Sequence, residues 1–223
     1  MKRIGLIVNP VAGMGGSVGL KGTDGKLYSM AIELAAKPVA QERARGFLSH
    51  IKHKNDLSIL VPPGNMGENT AKDANIKFST VSSLSNEVTS ADDTKRIARE
   101  MLSKNIDLLV FVGGDGTARD IYDAIGLEKP VIGVPSGVKM FGSVFAVNAI
   151  AAAEVVNAFV EGNANILEKE VLDISEPSYR EGKLDIKLYG YLKVPEAMVL
   201  VQSGKEPTLP TKSSQENHAA IAR

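Results

Sequence analysis

The sequence predicts an α/β fold, a parallel sheet with helices on both faces, followed by the start of a β-rich second domain. Three observations lead there. Short apolar runs alternate with stretches of helical spacing as far as Gly162. That alternation is the pattern of a sheet covered on both sides. The glycine-rich stretches follow apolar runs, where such sheets hold ligands. Beyond Gly162 the apolar runs succeed one another with no helix between them.

The elements follow in order. Ile4–Val8 is a β-branched run stopped by Asn9-Pro10, a turn signal. A glycine-rich stretch runs from Gly13 to Gly25. Residues 27–36 and 40–52 read as helical, with a break at Pro38. Leu57–Val61 is a second strand, ended by Pro62-Pro63-Gly64, and 66–74 is a short helix. Residues 76–81 form a third strand. Ala91–Ser103 carries Ile97, Ala98, Met101 and Leu102 at helical spacing, with Ser90 and Asp92/Asp93 as start signals. Residues 107–112 form a strand, 118–125 a helix, 131–134 a strand and 143–160 a helix. The whole reads as a Rossmann-like unit over 1–162. In the β-rich part, 163–223, strands are expected at 167–174 and 184–192, joined by a turn at 176–182. A further segment follows at 194–201. Ser213-Ser214-Gln215-Glu216 resembles a capping box whose helix runs out at Arg223, so a fragment of a longer protein is expected.

Composition narrows the function. The 223 residues are 43% hydrophobic and 23% charged, an ordinary globular balance. Lys+Arg and Asp+Glu both number 26, and the resulting zero net charge gives no support for a nucleic-acid or membrane-surface partner. There are no cysteines, which excludes disulfides and thiol chemistry and fits a reducing cytoplasm. The opening MKRIGLIVNP has too short an apolar stretch for a signal peptide or a membrane span.

No G-x-x-x-x-G-K-[ST], G-x-G-x-x-G or H-E-x-x-H occurs. The three histidines are His50, His53 and His218, and no third ligand stands near the first two. The chemistry centres instead on Gly113-Gly114-Asp115-Gly116-Thr117. Glycines let a phosphate or ribose approach the backbone. Successive N–H groups at a helix start form an anion site. Thr117 is expected to cap the helix, with Asp120 as its capping-box partner. A tight capped turn accounts for those two residues but not for Asp115. A carboxylate among glycines in a phosphate-binding loop would repel the ligand unless it accepts a proton from an attacking hydroxyl or holds Mg²⁺.

The GGDGT stretch resembles the signature of the superfamily of NAD kinases, diacylglycerol and sphingosine kinases and 6-phosphofructokinases. Asn9-Pro10-Val11-Ala12-Gly13 resembles the N-P-x-[AS]-G opening of these kinases. Lys21-Gly22-Thr23-Asp24-Gly25, Pro135–Phe141 and Val144-Phe145-Ala146 are similar to the ATP-NAD kinase family, in the branch that includes acetoin-catabolism protein X. Glu170–Asp173 and Leu188–Tyr191 fit that branch as well, so the likeness covers nearly the whole chain. Members usually continue past position 223.

The resemblance implies phosphoryl transfer from ATP or polyphosphate to the 2′-hydroxyl of the adenosine ribose of NAD, with Mg²⁺. Asp115 is then the base that takes the hydroxyl proton. Asn9, Gly13, Gly15 and Gly16 would line the donor phosphates. Lys21 could pair with phosphate as a point charge, and Asp24 could bind a metal or a ribose hydroxyl. The backbone N–H groups of Ser136 and Gly137, together with Val138, could face the nucleotide, and Lys139 could neutralise phosphate charge. Classical NAD kinases have a different stretch at 135–139.

Three readings stand. The first is NAD kinase. The second is a nucleotide-binding protein without turnover, of the acetoin-catabolism type. The third is a kinase for another hydroxyl, including a lipid; the KGTDG stretch and the absence of any apolar surface signal weigh against a lipid. The expected partners are small-molecule nucleotides, with no nucleic acid and no membrane. Unfinished strand edges would favour a homo-oligomer.

Overall fold

The computed structural model describes residues 1–14, 33, 36, 39–52, 54–81, 89–137, 140–174 and 186–197. Five parallel strands form the central sheet: β1 (Lys2–Val8), β2 (Leu57–Val61), β3 (Phe78–Thr80), β4 (Leu108–Gly113) and β5 (Val131–Pro135). Their spatial order is β3-β2-β1-β4-β5. Ile4 of β1 lies opposite Ile59 on one side and Leu108 on the other, so β1 is central. Every residue of β4 and β5 is buried. Successive side chains point to opposite faces, so a wholly buried strand means a sheet covered on both sides.

The cover comes from α1 (Val39–Ser49), α3 (Ala91–Ser103), α4 (Asp115–Ile125) and α5 (Ala149–Val160). Helix α1 packs on α5, and α3 packs on α4. Helix α3 starts where the sequence expects. The Ser90 hydroxyl accepts the Asp93 N–H, and the Asp93 carboxylate accepts the Ser90 N–H in return, a full capping box. A polar bridge joins α1 to α5. Buried Asn157 accepts the Lys52 N–H at 3.0 Å and donates to the His50 carbonyl at 3.1 Å.

Several expectations are corrected. The stretch 66–74 splits into a 3₁₀ turn, Gly64–Met66, and α2 (Glu68–Asp73). Gly67, with φ 160°, interrupts the helical path between them. Helix α4 begins at Asp115 rather than Ala118, because Gly114 serves as its N-cap. The helix expected from Ser143 begins at Ala149, where the Asn148 side chain accepts the Ala151 N–H at 2.9 Å. Residues 144–146 instead lie along the edge of β5. The Gly133 N–H donates to the Val144 carbonyl and the Ala146 N–H to the Gly133 carbonyl, both at 2.9 Å. Phe145 then meets Phe111 edge-on, with ring centroids 5.4 Å apart. A Cβ on Gly133 would come within 2.5 Å of the Phe145 ring and 2.8 Å of Phe111, so only glycine fits beneath that pair.

After α5 the parallel pattern ends. Strands β6 (Asn165–Ile174) and β7 (Ile186–Glu196) form an antiparallel hairpin with a bulge between Val171 and Leu172. No new strand starts at Val194. That residue continues β7, because it pairs with Leu167 while its side chain is buried with Leu192. The hairpin docks on α4: the Tyr189 hydroxyl donates to Asp123 at 2.9 Å, and Tyr189 packs edge-on against Tyr122. The Ser143 N–H also donates to the Glu170 carbonyl of β6 at 3.0 Å. The helix expected at 27–36 (apart from residues 33 and 36), the turn at 176–182, the end of the segment at 194–201 and the capping box at 213–216 lie outside the described residues. Among the described residues no helix is long and apolar enough to cross a membrane.

Candidate functional site at the sheet switch point

The sheet order places a switch point between β1 and β4. The chain leaving β1 turns toward β2, and the chain leaving β4 turns toward β5. Such a point opens a crevice beyond the carboxyl ends of the strands, the usual ligand position in open α/β sheets. Both loops singled out from the sequence meet there.

Asn9 follows β1 and ties the two sides together. Its N–H donates to the Val112 carbonyl of β4 at 2.9 Å. Its Oδ1 accepts the Val11 N–H at 3.2 Å, which fixes which end of the amide is oxygen. Its Nδ2 donates to Thr117 Oγ1 at 3.0 Å. Thr117 therefore does not cap α4. It lies within the first turn, 4% exposed, and its hydroxyl is used across the crevice. Asp120 likewise is no capping partner; it lies 3.7 Å from Lys95 of α3.

The third wall comes from β5. The Ser136 N–H donates to the Gly113 carbonyl at 3.0 Å. Gly13, at φ +80°, lies so close to Ser136 that a Cβ there would overlap the Ser136 carbonyl oxygen. Glycine is required twice over at this position, by φ and by contact. Ser136 is 2% exposed, and among the described residues its Oγ has no hydrogen-bond partner. A buried hydroxyl left unpaired is unfavourable and suits a site that a polar ligand completes. Gly137 lies beside Met140, whose Cε would be 3.1 Å from a Cβ there.

Asp115 is the first residue of α4. The helical ladder opens with the Ala118 N–H donating to the Gly114 carbonyl at 3.0 Å. The N–H groups of Asp115, Gly116 and Thr117 thus precede the helical ladder, as donors at a helix start do. The Asp115 carboxylate is held from the loop after β5. Oδ1 accepts the Gly142 N–H at 3.0 Å and the Phe141 N–H at 3.3 Å; Oδ2 accepts the Phe141 N–H at 3.0 Å. Burial pushes the carboxyl above its ordinary pKa. The Gly142 and Phe141 hydrogen bonds and the Arg119 charge pull it the other way, without cancelling the effect of burial.

The structure thus brings together Asn9, Gly13, Gly113, Gly114, Asp115, Gly116, Thr117, Ser136 and Gly137. Gly15, Gly16, Lys21, Asp24 and Lys139 lie outside the described residues. Sequence reasoning missed the Phe141 and Gly142 donors, because a backbone N–H leaves no mark in residue type. It also missed Arg119, whose spacing of four from Asp115 on a helix was legible. Pro62–Glu68, after β2, is a self-contained turn in which the Gly64 N–H donates to Glu68 Oε2 at 3.0 Å. His50 bonds within its own helix end, and His53 is outside the described residues.

Among the described residues no group of three histidine or acidic side chains could hold a metal. The open glycine backbone, the helix start and the unpaired Ser136 hydroxyl fit a phosphate-bearing nucleotide. A Mg²⁺ ion in such a site would take its oxygens from donor phosphates and water.

No curated protein matches the chain. Two crystal structures described as diacylglycerol kinases from Bacillus anthracis str. Sterne are similar to it, each at 16% identity. Their TM-scores are 0.34 and 0.33, and each match covers 75% of this chain. The chain spans less than half the length of those two structures, 43% and 44%. The model of the ATP-NAD kinase N-terminal domain matches residues 4–164. That stretch holds the parallel sheet and every residue of the crevice described above, so the chain belongs to the ATP-NAD kinase family.

Proposed function

We propose that the chain is an NAD kinase, moving a phosphoryl group from ATP or polyphosphate to the 2′-hydroxyl of the adenosine ribose of NAD. The observation that carries this reading is Asp115: a half-buried carboxylate with raised proton affinity, at a helix start, in the switch-point crevice. A ribose hydroxyl is a poor nucleophile at neutral pH. A positioned carboxylate that takes its proton contributes about 10²–10⁴-fold. The hydroxyl oxygen bonds the terminal phosphorus as the bond to the bridging oxygen breaks. ADP, or a shortened polyphosphate, leaves. The proton passes to Asp115 and then to water.

Asn9, Gly13, Gly15 and Gly16 would line the donor phosphates beside the N–H groups of Gly114, Gly116 and Thr117. Ser136 and Gly137 would meet the nucleotide, with Lys21, Asp24 and Lys139 adding charge and ribose contacts. Mg²⁺ would travel with the donor and neutralise phosphate charge; no step here runs through a metal held by the protein. We place the kinase unit at 1–162 and a β-rich second unit at 163–223. The protein is proposed to act in the cytoplasm on free nucleotides, as a homo-oligomer.

The test is incubation with NAD, ATP and Mg²⁺, following NADP with an NADP-specific dehydrogenase. NADP formation that stops in Asp115→Asn supports the reading. A second reading has its own observation: both oxygens of Asp115 already accept backbone N–H groups, which a purely structural residue would also do. Binding of NAD with no NADP at any nucleotide concentration would favour that reading, a binding module without turnover.

A further inference from the structure

We propose that the backbone N–H groups of Phe141 and Gly142 are the positioning device of Asp115. They anchor Oδ1, leave Oδ2 to receive the substrate proton, and tie the carboxylate to hairpin β6–β7. The catalytic half of this inference rests on the kinase reading above.

The two oxygens are held unequally. Among the described residues Oδ1 accepts from both N–H groups, at 3.0 and 3.3 Å, whereas Oδ2 accepts from Phe141 alone, at 3.0 Å. A carboxylate has about four lone-pair positions. Oδ2 therefore keeps the freer capacity, while the anchored oxygen fixes the rotation of the group. In the phosphoryl-transfer step Oδ2 takes the acceptor's proton as the new O–P bond forms and the bridging P–O bond breaks.

The clamp is itself held from behind. The Ser143 N–H, next along the chain, donates to the Glu170 carbonyl of β6 at 3.0 Å. Gly142 sits between the two. A Cβ on it would lie 3.2 Å from Asp115 Oδ1 and 3.3 Å from the Glu170 carbonyl oxygen. Both neighbours are fixed, one by two hydrogen bonds and one within a strand, so an added methyl must move the loop. The hairpin in turn is set on α4 through Tyr189 and Asp123. The loop thus closes a circuit: α4 carries Asp115, the hairpin docks on α4, and the hairpin holds the loop that holds Asp115.

Among the described residues no other charge takes over this role. Among the described residues Arg119 is one turn along the same helix and acts on Asp115 by charge alone. Glu170 of β6 contributes its backbone carbonyl to the loop. Lys95 of α3 is engaged by Asp120 and Asp123, further along α4. Asn9, from the β1 side, is neutral.

The experiment uses the full chain and two measurements. The first follows the Asp115 carboxyl and the Phe141 and Gly142 amides by NMR through a pH titration without nucleotide. Asp115→Asn identifies the carboxyl signal. In the wild type both amides are expected to shift with the Asp115 midpoint; amides that ignore it overturn the clamp, and this reading needs no variant to fold. The second compares Gly142→Ala with the wild type. Weakened N–H bonds to the charged form should raise the Asp115 midpoint by about one pH unit. The acid limb of kcat/KM for NADP formation should rise with it. Below that limb kcat should fall about tenfold, with KM for NAD and ATP unchanged. A fall in activity with an unmoved acid limb overturns the positioning role. No NADP from the wild type at any pH overturns the kinase reading and the catalytic half of this proposal, and the amide titration still decides the clamp.

Discussion

Asn9 Nδ2 donates to Thr117 Oγ1 at 3.0 Å, joining the loop after β1 to the first turn of α4. The two residues are 108 positions apart. The bond crosses the mouth of the switch-point crevice, so it sets how far apart the two loops stand.

Breaking that bond should loosen the crevice before it unfolds the protein. Thr117→Val is expected to cost about 1 kcal/mol, the usual net worth of one such bond. Asn9→Ala should cost a similar amount. The double variant should cost less than the sum, with a coupling of about 0.5–1.5 kcal/mol, read from urea unfolding of the four proteins. Strict additivity would mean that the bond does not hold the loops together.

Asp115 should be a site where function and stability oppose each other. Its folded pKa is raised, with burial as the main cause. The folded form therefore binds its proton more tightly than the unfolded chain does. Below the unfolded carboxyl pKa both states are protonated and nothing is lost. As pH rises toward and through the folded value, ionisation costs the folded state stability, and the full cost is present at neutral pH. Asp115→Asn removes that charge. Its Tm should equal or exceed the wild type's at pH 7, and the difference should shrink as pH falls through the folded value and vanish below about 4, the ordinary carboxyl value. NADP formation should drop by about 10²–10⁴-fold. A variant that is less stable at pH 7 would show the carboxylate to be a structural anchor.

Gly133 lies under two aromatic rings. Gly133→Ala places a methyl within 2.5 Å of Phe145 and 2.8 Å of Phe111. Overpacking of this kind costs about 1–3 kcal/mol. The loss should appear in denaturant unfolding, with the strongest chemical-shift changes at residues 144–146, whose pairing to β5 depends on the same contact.

Asn157 should behave as a buried pin. Asn157→Ala leaves the Lys52 N–H and the His50 carbonyl without the partners that now satisfy them. The expected cost is about 1–3 kcal/mol. Amide exchange should quicken at the end of α1 and leave β4 unchanged; an unaffected α1 would count against the bridge.

The strands of the sheet were legible because burial on both faces leaves continuous apolar runs, as in Leu108–Gly113. Helix α3 was legible because Ser90 and Asp93 satisfy each other locally. Asp115 stood out because a charge among glycines has no local explanation. Ser143 was misread for the opposite reason. It looks like a helix start, but the segment after it gains two backbone bonds to Gly133 at the edge of β5, a residue ten positions back. Thr117 was misread as a cap because its partner, Asn9, is remote in the chain.

What the chain's local pattern settled was where most of the strands and helices lie, and which loop carries the carboxylate among glycines. Periodicity, capping and glycine placement act over a few residues and can be read along the chain. The strand order, the Asn9–Thr117 bond, the unpaired Ser136 hydroxyl and the Phe141–Gly142 clamp were decided only by tertiary structure. Each depends on backbone groups or side chains brought together across the sheet. A backbone N–H is the same in every residue but proline, so no residue type could have announced where those donors would point.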